Sequence, residues 1–130
     1  MCGICGFSGT GNEQLINKMV QALKHRGPDA QTVYYDRDIA LGHARLSILD
    51  LRPEANCPMF SRDRQLVITL NGEIYDYLEL KKSLDKKYTF ATKTDTEVLL
   101  YLYKEYGVNM LQMINGMFAF AIYDFEKQEL

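Results

Sequence analysis

The sequence predicts an α+β sandwich from three observations: β-rich segments fall together in the first half of the chain, capping-box signatures open helices on either side of them, and a late strand alternates large and small residues. Gly3 to Ser8 is short and apolar, ends among glycines, and is the first expected strand. Thr10-Gly11-Asn12-Glu13 has the form of a capping box, with Leu15, Ile16, Met19, Val20 and Leu23 following at helical spacing. That helix is expected to stop at Gly27-Pro28, because proline has no N–H for a helix interior. Residues 33–35, 39–48 and 66–70 are rich in β-formers and separated by polar turns, which predicts neighbouring antiparallel strands. Residues 77–84 read as a helix. Thr94-Asp95-Thr96-Glu97 is a second capping box, opening a helix with Val98, Leu99, Leu102, Tyr103 and Tyr106 on one stripe and Gly107 at its end. Residues 117–123 form the late strand, and 124–130 read as a hairpin turn with the first residue of a return strand. A chain stopping there leaves an unpaired edge, so the domain is expected to be incomplete at its C-terminus.

Composition narrows the function classes. A chain of 130 residues is at most one domain and buries about two thirds of the surface its unfolded form exposes. The net charge of −2 comes from interspersed acids and bases, so no face is basic enough to track a phosphate backbone, and nucleic acid is not an expected partner. Three cysteines are an odd number without framework spacing, and the N-terminus carries neither a basic nor a long apolar segment; this points away from secretion and membrane insertion and towards the reducing cytoplasm. Cys5 and Cys57 have no partner at zinc spacing and read as ordinary packed or surface residues; no metal is expected.

Cys2 is the residue with the most chemical potential. Removal of Met1 would leave a thiol and a free α-amine on one amino acid. Such amines titrate near ~7.7–8.0 and thiols near ~8.5, so the amine can take the thiol proton at neutral pH. The alternative is a small apolar residue opening a strand. A thiol attacking an amide needs donors for the oxyanion, and Asn71-Gly72 offers a side-chain amide beside a backbone N–H. Asn-Gly is equally the commonest type I′ hairpin signal, although Glu73-Ile74-Tyr75-Asp76 after it leads towards a helical pattern. Arg45 lies in an otherwise apolar segment, so its guanidinium must end in water or clamp an anion such as a carboxylate. Asp95 and Glu73 are carboxylates at expected helix starts, where they compensate the helix dipole or receive an ammonium. His25 and His43 are candidate bases that an amine-terminal mechanism does not require.

Six segments in order resemble one family: Met1-Cys2-Gly3-Ile4-Cys5-Gly6, His25-Arg26-Gly27-Pro28-Asp29, the run from Leu41 to Leu51 around Gly42-His43-Ala44-Arg45-Leu46-Ser47, Asn71-Gly72-Glu73-Ile74-Tyr75, Thr94-Asp95-Thr96-Glu97, and Gly116-Met117-Phe118-Ala119-Phe120-Ala121. Together they resemble the glutaminase domain of glutamine-dependent asparagine synthetases, which are class II glutamine amidotransferases of the N-terminal nucleophile (Ntn) hydrolase fold. The resemblance spans residues 1–130 and implies a four-layer αββα sandwich of antiparallel sheets. It also implies that Cys2 attacks the side-chain amide of L-glutamine with its own α-amine as base, giving a glutamyl thioester, ammonia and finally glutamate. Asn71 and Gly72 would form the oxyanion hole. Arg45 and the backbone around Leu49 would hold the α-carboxylate, Asp95 and Glu73 the α-ammonium, and the 26–29 loop would sit near the mouth of the site.

In the family the ammonia passes to a synthetase domain that activates aspartate with ATP and magnesium. No segment of this chain resembles that domain, so no cofactor is expected here. A homodimer is compatible with the resemblance. Thr32, Cys57 and Asp76 depart from the family's usual glycine, glutamine and asparagine, and Thr32 is expected to alter loop geometry because it resists positive φ. Two alternatives stand beside the enzyme: a catalytically silent module that binds glutamine or a partner, and the glutaminase domain of another class II amidotransferase.

Overall fold

A computed structural model describes residues 2–130. Met1, on which the expectation about methionine removal rests, lies outside them. The elements run β1 (Gly3–Ser8), α1 (Glu13–Ala22), β2 (Ala30–Tyr35), β3 (Ile39–Arg45), β4 (Met59–Phe60), β5 (Leu66–Ile74), α2 (Tyr77–Leu84), α3 (Asp95–Tyr106) and β6 (Gly116–Asp124), with 3₁₀ turns at Pro53–Ala55 and Gly107–Gln112. They form an α+β fold with two antiparallel sheets, ordered β1-β3-β2 and β4-β5-β6. Among the described residues no helix is long and apolar enough to cross a membrane.

The capping residues work as the sequence suggests, with two adjustments. Asn12, not Thr10, caps α1, its side chain accepting the Leu15 N–H at 2.8 Å. The helix ends at Ala22 instead of running to Gly27-Pro28, because the N–H groups of Leu23, Lys24 and Arg26 turn to carbonyls three residues back. Thr94 Oγ1 accepts the Glu97 N–H at 3.2 Å and opens α3, but Glu97 does not reciprocate. Its buried carboxylate instead takes the N–H groups of Ala91 and Thr92, at 2.9 and 2.7 Å, and holds the loop before the helix. Gly107 ends α3 with φ 57°, as expected of a left-handed terminator.

Burial explains the sheets. Every residue of β3 is buried, because α1 covers one of its faces and β5 meets the other. Ile39 and Leu41 of β3 cluster with Val67 and Tyr123 between the sheets, while Leu66, Ile68 and Leu70 face Val98, Leu99 and Leu102 of α3. The strand ends differ from the sequence-based expectation. β3 stops at Arg45, not at residue 48, because its partners run out there: Gly3 pairs with Ala44 and Ala30 with Arg45. The next donors go to side chains, Leu46 N–H to Cys2 Sγ and Ser47 N–H to Asp29 Oδ2. β5 runs on to Ile74, since β6 supplies a partner for each residue from Leu66 to Ile74. Asn71-Gly72 is therefore mid-strand and not a hairpin turn, and Glu73 sits in a strand opposite Met117 and not at a helix start. Thr32 also departs from expectation: it lies in β2 opposite His43, and its hydroxyl donates to the Cys57 carbonyl. The final turn forms as predicted, Asp124 and Glu129 exchanging backbone hydrogen bonds.

The two faces of α1 make the burial pattern testable. Ile16 is fully buried whereas its neighbour Leu15 is 42% exposed. Ile16→Ala is expected to cost about 2–5 kcal/mol in urea unfolding, and Leu15→Ala less than about 1 kcal/mol. Equal losses would contradict the placement of α1.

Candidate active site

Cys2 sits immediately before β1, half-buried, and its sulfur is fixed by the residue that follows β3. The Leu46 N–H donates to Sγ at 3.3 Å, and the thiol reaches the Leu46 carbonyl at 3.6 Å. The 26–29 loop braces this corner. Arg26 Nε donates to the Cys2 carbonyl at 3.4 Å, and Asp29 accepts the Ser47 N–H at 2.7 Å. Gly27 lies so close to β3 that a Cβ there would stand 2.2 Å from the Ala44 carbonyl. The loop thus supports the wall of the site without lining it.

Arg45, the last residue of β3, is 5% exposed, which excludes the surface-facing alternative. Its Nη1 donates to the carbonyl of Arg52 at 3.1 Å and to Asn56 Oδ1 at 2.6 Å; its Nη2 donates to the carbonyls of Leu49 and Asp50 at 3.0 and 2.5 Å. All four acceptors are neutral. Among the described residues no carboxylate pairs with this guanidinium, so a buried cation stands with its charge uncompensated.

Asp95 has the opposite sign and the same situation. It is the first residue of α3 and is buried, and its carboxylate accepts the N–H groups of Ile74 and Thr96 at 3.0 and 2.8 Å. Burial raises its pKa, only partly countered by those two hydrogen bonds, and no cation among the described residues pairs with it.

Both charges meet at one cavity of about 120 Å³, lined by Cys2, Arg45, Leu49, Gly72, Glu73 and Asp95 among others. A water needs only about 10–15 Å³ by this measure, so the space suits a small organic molecule. Asn71 is the candidate that does not line the cavity. It alternates with Gly72 along β5, and its Oδ1 is buried without a hydrogen-bond partner among the described residues. His25 lies on the exposed turn after α1, its Nδ1 on the Ala22 carbonyl, away from the site.

The cavity also contains groups that sequence reasoning passed over. Leu46, Thr94, Thr96 and Met117 contribute to it, as does Cys57, read from sequence as an ordinary residue. Burial pushes the Cys57 thiol up to about 12, so it stays protonated. His43 lines the cavity too, 3% exposed between the sheets. Its Nε2 donates to the Leu70 carbonyl at 3.0 Å, since a carbonyl can only accept, which leaves Nδ1 as an unpartnered lone pair. Asn56 and Asp50, which complete the cage around Arg45, left no local signal beyond being polar residues in a loop. No group of three or more His, Cys, Asp or Glu among the described residues converges as a metal site would.

Burial, helped by the nearby Arg45 charge, lowers the His43 pKa from 6.5 to about 4. Below pH 6.5 the unfolded chain therefore takes a proton that the folded chain refuses. The stability contributed by neutral His43 is complete above that pH, falls as pH drops towards 4, and then levels off. Urea unfolding of the parent and His43→Asn is expected to show a loss specific to the parent of up to about 3 kcal/mol over this window. Parallel pH profiles would show that His43 does not titrate this way.

Comparison with known proteins brings a consistent set of relatives. The sequence model described as a glutamine amidotransferase domain matches residues 1–130. The chain is 38% identical over 129 residues to asparagine synthetase [glutamine-hydrolyzing] 1 of Arabidopsis thaliana, covering 95% of this chain and 22% of that protein. It is 42% identical over 148 residues to the putative asparagine synthetase [glutamine-hydrolyzing] 2 of Methanocaldococcus jannaschii, covering 98% of this chain and 28% of that protein. The corresponding Bacillus subtilis asparagine synthetase 1 is 40% identical over 132 residues, with coverages of 93% and 21%. The chain thus spans between about a fifth and under a third of the length of these relatives. With the family model matched from first residue to last, this chain belongs to the glutamine amidotransferase domain family.

Proposed function

We propose that this chain hydrolyses the side-chain amide of L-glutamine and, as part of an enzyme of asparagine-synthetase type, supplies the ammonia for amidation of aspartate. One observation carries the reading: a thiol, a buried unpaired cation and a buried unpaired carboxylate line a single cavity. A free α-amino acid is the small molecule that brings a carboxylate and an ammonium on adjacent bonds. On this reading the α-carboxylate meets Arg45 and the backbone near Leu49, and the ammonium meets Asp95 with Glu73 beside it. The arriving ammonium keeps Asp95 ionised, against the burial that raises its pKa.

With those ends held, a neutral amide at the far end of the side chain is directed to Cys2. The Cys2 α-amine takes the thiol proton and the sulfur attacks the amide carbon, forming a C–S bond while the carbonyl pair moves onto oxygen. The Gly72 N–H and the Asn71 amide receive that oxyanion, a role that needs the Asn71 side chain to reach the cavity from outside its present lining. The oxygen pair returns, the C–N bond breaks, and the amine hands its proton to the departing nitrogen, which leaves as ammonia. Water then cleaves the thioester and releases glutamate. The covering of the two sheets by α1 on one side and α3 on the other supports the finer fold reading, a four-layer αββα sandwich of Ntn-hydrolase type. ATP and magnesium belong, in this proposal, to the part of the parent enzyme that activates aspartate in the cytoplasm.

The test is intact mass before and after treatment with the glutamine-like electrophile diazo-oxo-norleucine, alongside ammonia release. Methionine-free chain is expected to gain a single adduct on Cys2 and to hydrolyse glutamine, and Cys2→Ala to lose adduct and at least about a thousandfold in turnover. Chain retaining Met1 is expected to be inactive, because the Cys2 nitrogen is then an amide; comparable turnover would overturn the amine-base mechanism. Methionine-free chain that neither reacts nor turns over would refute the glutaminase reading.

A further inference from the structure

The cage around Arg45 and the loop before Asp95 belong to segments 43 residues apart in sequence at the contact of Asp50 with Lys93, and the side chains of Asp50 and Arg52 join them. Asp50 has φ 45°, in the left-handed region that a residue with a Cβ occupies only when its surroundings demand it. Its side chain is 4% exposed, although the loop around it is largely exposed. The carboxylate accepts four hydrogen bonds. Oδ1 takes Arg52 Nε at 2.7 Å and the Arg52 N–H at 3.4 Å; Oδ2 takes Arg52 Nη2 at 2.5 Å and the Lys93 N–H at 2.9 Å. The Asp50 carbonyl, meanwhile, accepts Arg45 Nη2. Arg52 closes a second tie to the same loop through Nη2 and the Ala91 carbonyl at 3.2 Å.

The far side of this connection is also held by side-chain hydrogen bonds. Glu97 holds the N–H groups of Ala91 and Thr92, Thr94 caps α3, and Asp95 follows as the first helical residue. Asp50 therefore stands between the two poles of the cavity: its main chain helps hold the guanidinium, and its side chain holds the loop that delivers the buried carboxylate. The arrangement explains why a residue with a Cβ tolerates positive φ here, since reversing the chain at this point turns the carbonyl to Arg45 and the carboxylate to Lys93.

We propose that Asp50 is a positioning residue that sets the separation between the Arg45 and Asp95 poles, and thereby the preference of the site for an intact α-amino acid over a molecule carrying only one of the two charges. This rests on the proposed glutaminase reading and deepens it. Asp50 touches no reacting atom, so its loss acts on recognition and not on the chemistry at Cys2.

The experiment compares hydrolysis of glutamine with that of glutaramate, which keeps the carboxylate and amide but lacks the α-ammonium. Asp50→Gly keeps the positive φ and removes the tie; Asp50→Asn keeps the shape and an acceptor for the Lys93 N–H but not the charge facing Arg52. Asp50→Gly is expected to raise KM for glutamine about tenfold with kcat within about twofold, and to shrink the advantage of glutamine over glutaramate. Asp50→Asn is expected to recover part of that preference. A purely structural role predicts instead a lowered melting temperature with the glutamine-to-glutaramate ratio unchanged, and that result, like an unchanged KM in Asp50→Gly, overturns the proposal while leaving the glutaminase reading intact. A parent chain with processed N-terminus and no turnover of glutamine would overturn both.

Discussion

The local structure of the site depends on one buried guanidinium. Arg45 ends β3 inside the molecule, and no carboxylate among the described residues compensates it. Burying an ion costs several kcal/mol, and each hydrogen bond to a charged group returns roughly 1.5–3 kcal/mol, so four oxygens are about enough to keep the charge in place. The loop after β3 is shaped to supply them from Leu49, Asp50, Arg52 and Asn56. The path of that loop and one wall of the cavity are consistent with this requirement.

The neighbouring titratable groups are arranged so that this charge is not contested. His43 lies one turn of the pleat away on the same strand face, and a second cation there would be repelled; burial and Arg45 together hold it neutral. Cys57 also lines the cavity, but burial pushes its thiol far above neutral pH, and Cys2 is the other sulfur on the lining. Across the cavity Asp95 supplies the negative pole from the first turn of α3, where backbone N–H groups of Ile74 and Thr96 hold it. The unlike charges stand without ionic partners among the described residues, and this is the feature on which the proposed recognition of a zwitterion rests.

Much of this was legible in the sequence because it is local. The caps and the helical stripe of α1 are written in residues a few positions apart, whereas the single stripe expected of α3 is not found: the helix is buried on all sides from Asp95 to Leu102, Leu100 and Tyr101 included, and Tyr106 is exposed. The boundaries that differ are those set by distant partners. Asn71-Gly72 carries the strongest short-range hairpin signal, yet nine residues of β6 extend β5 through it. Arg45 posed the right question, an arginine in an apolar strand, but its answer lies in three backbone carbonyls and the Asn56 side chain, one of those carbonyls belonging to a left-handed Asp50 that no sequence pattern announces. The family was legible from the candidate segments taken as a set; the cage around Arg45 was not, because three of its four acceptors are backbone carbonyls, which leave no trace in side-chain identity.

The unfinished bonds of the site have a common logic. Among the described residues Arg45 and Asp95 have no counterions, and Asn71 Oδ1 and His43 Nδ1 are buried without partners. An unsatisfied buried acceptor costs about 1–3 kcal/mol, so leaving two of them beside two uncompensated charges is a substantial burden for a chain of 130 residues. Such a concentration is tolerated only where the surroundings are firmly built, and here they are: β3 is buried along its whole length and α3 buries eight consecutive residues from Asp95 to Leu102. The strain lies at the edge of two well-packed layers instead of being spread through the core. Arg45, Asp95 and His43 all line the same cavity, and on the proposed reading a ligand carrying both charges would compensate the two ions there.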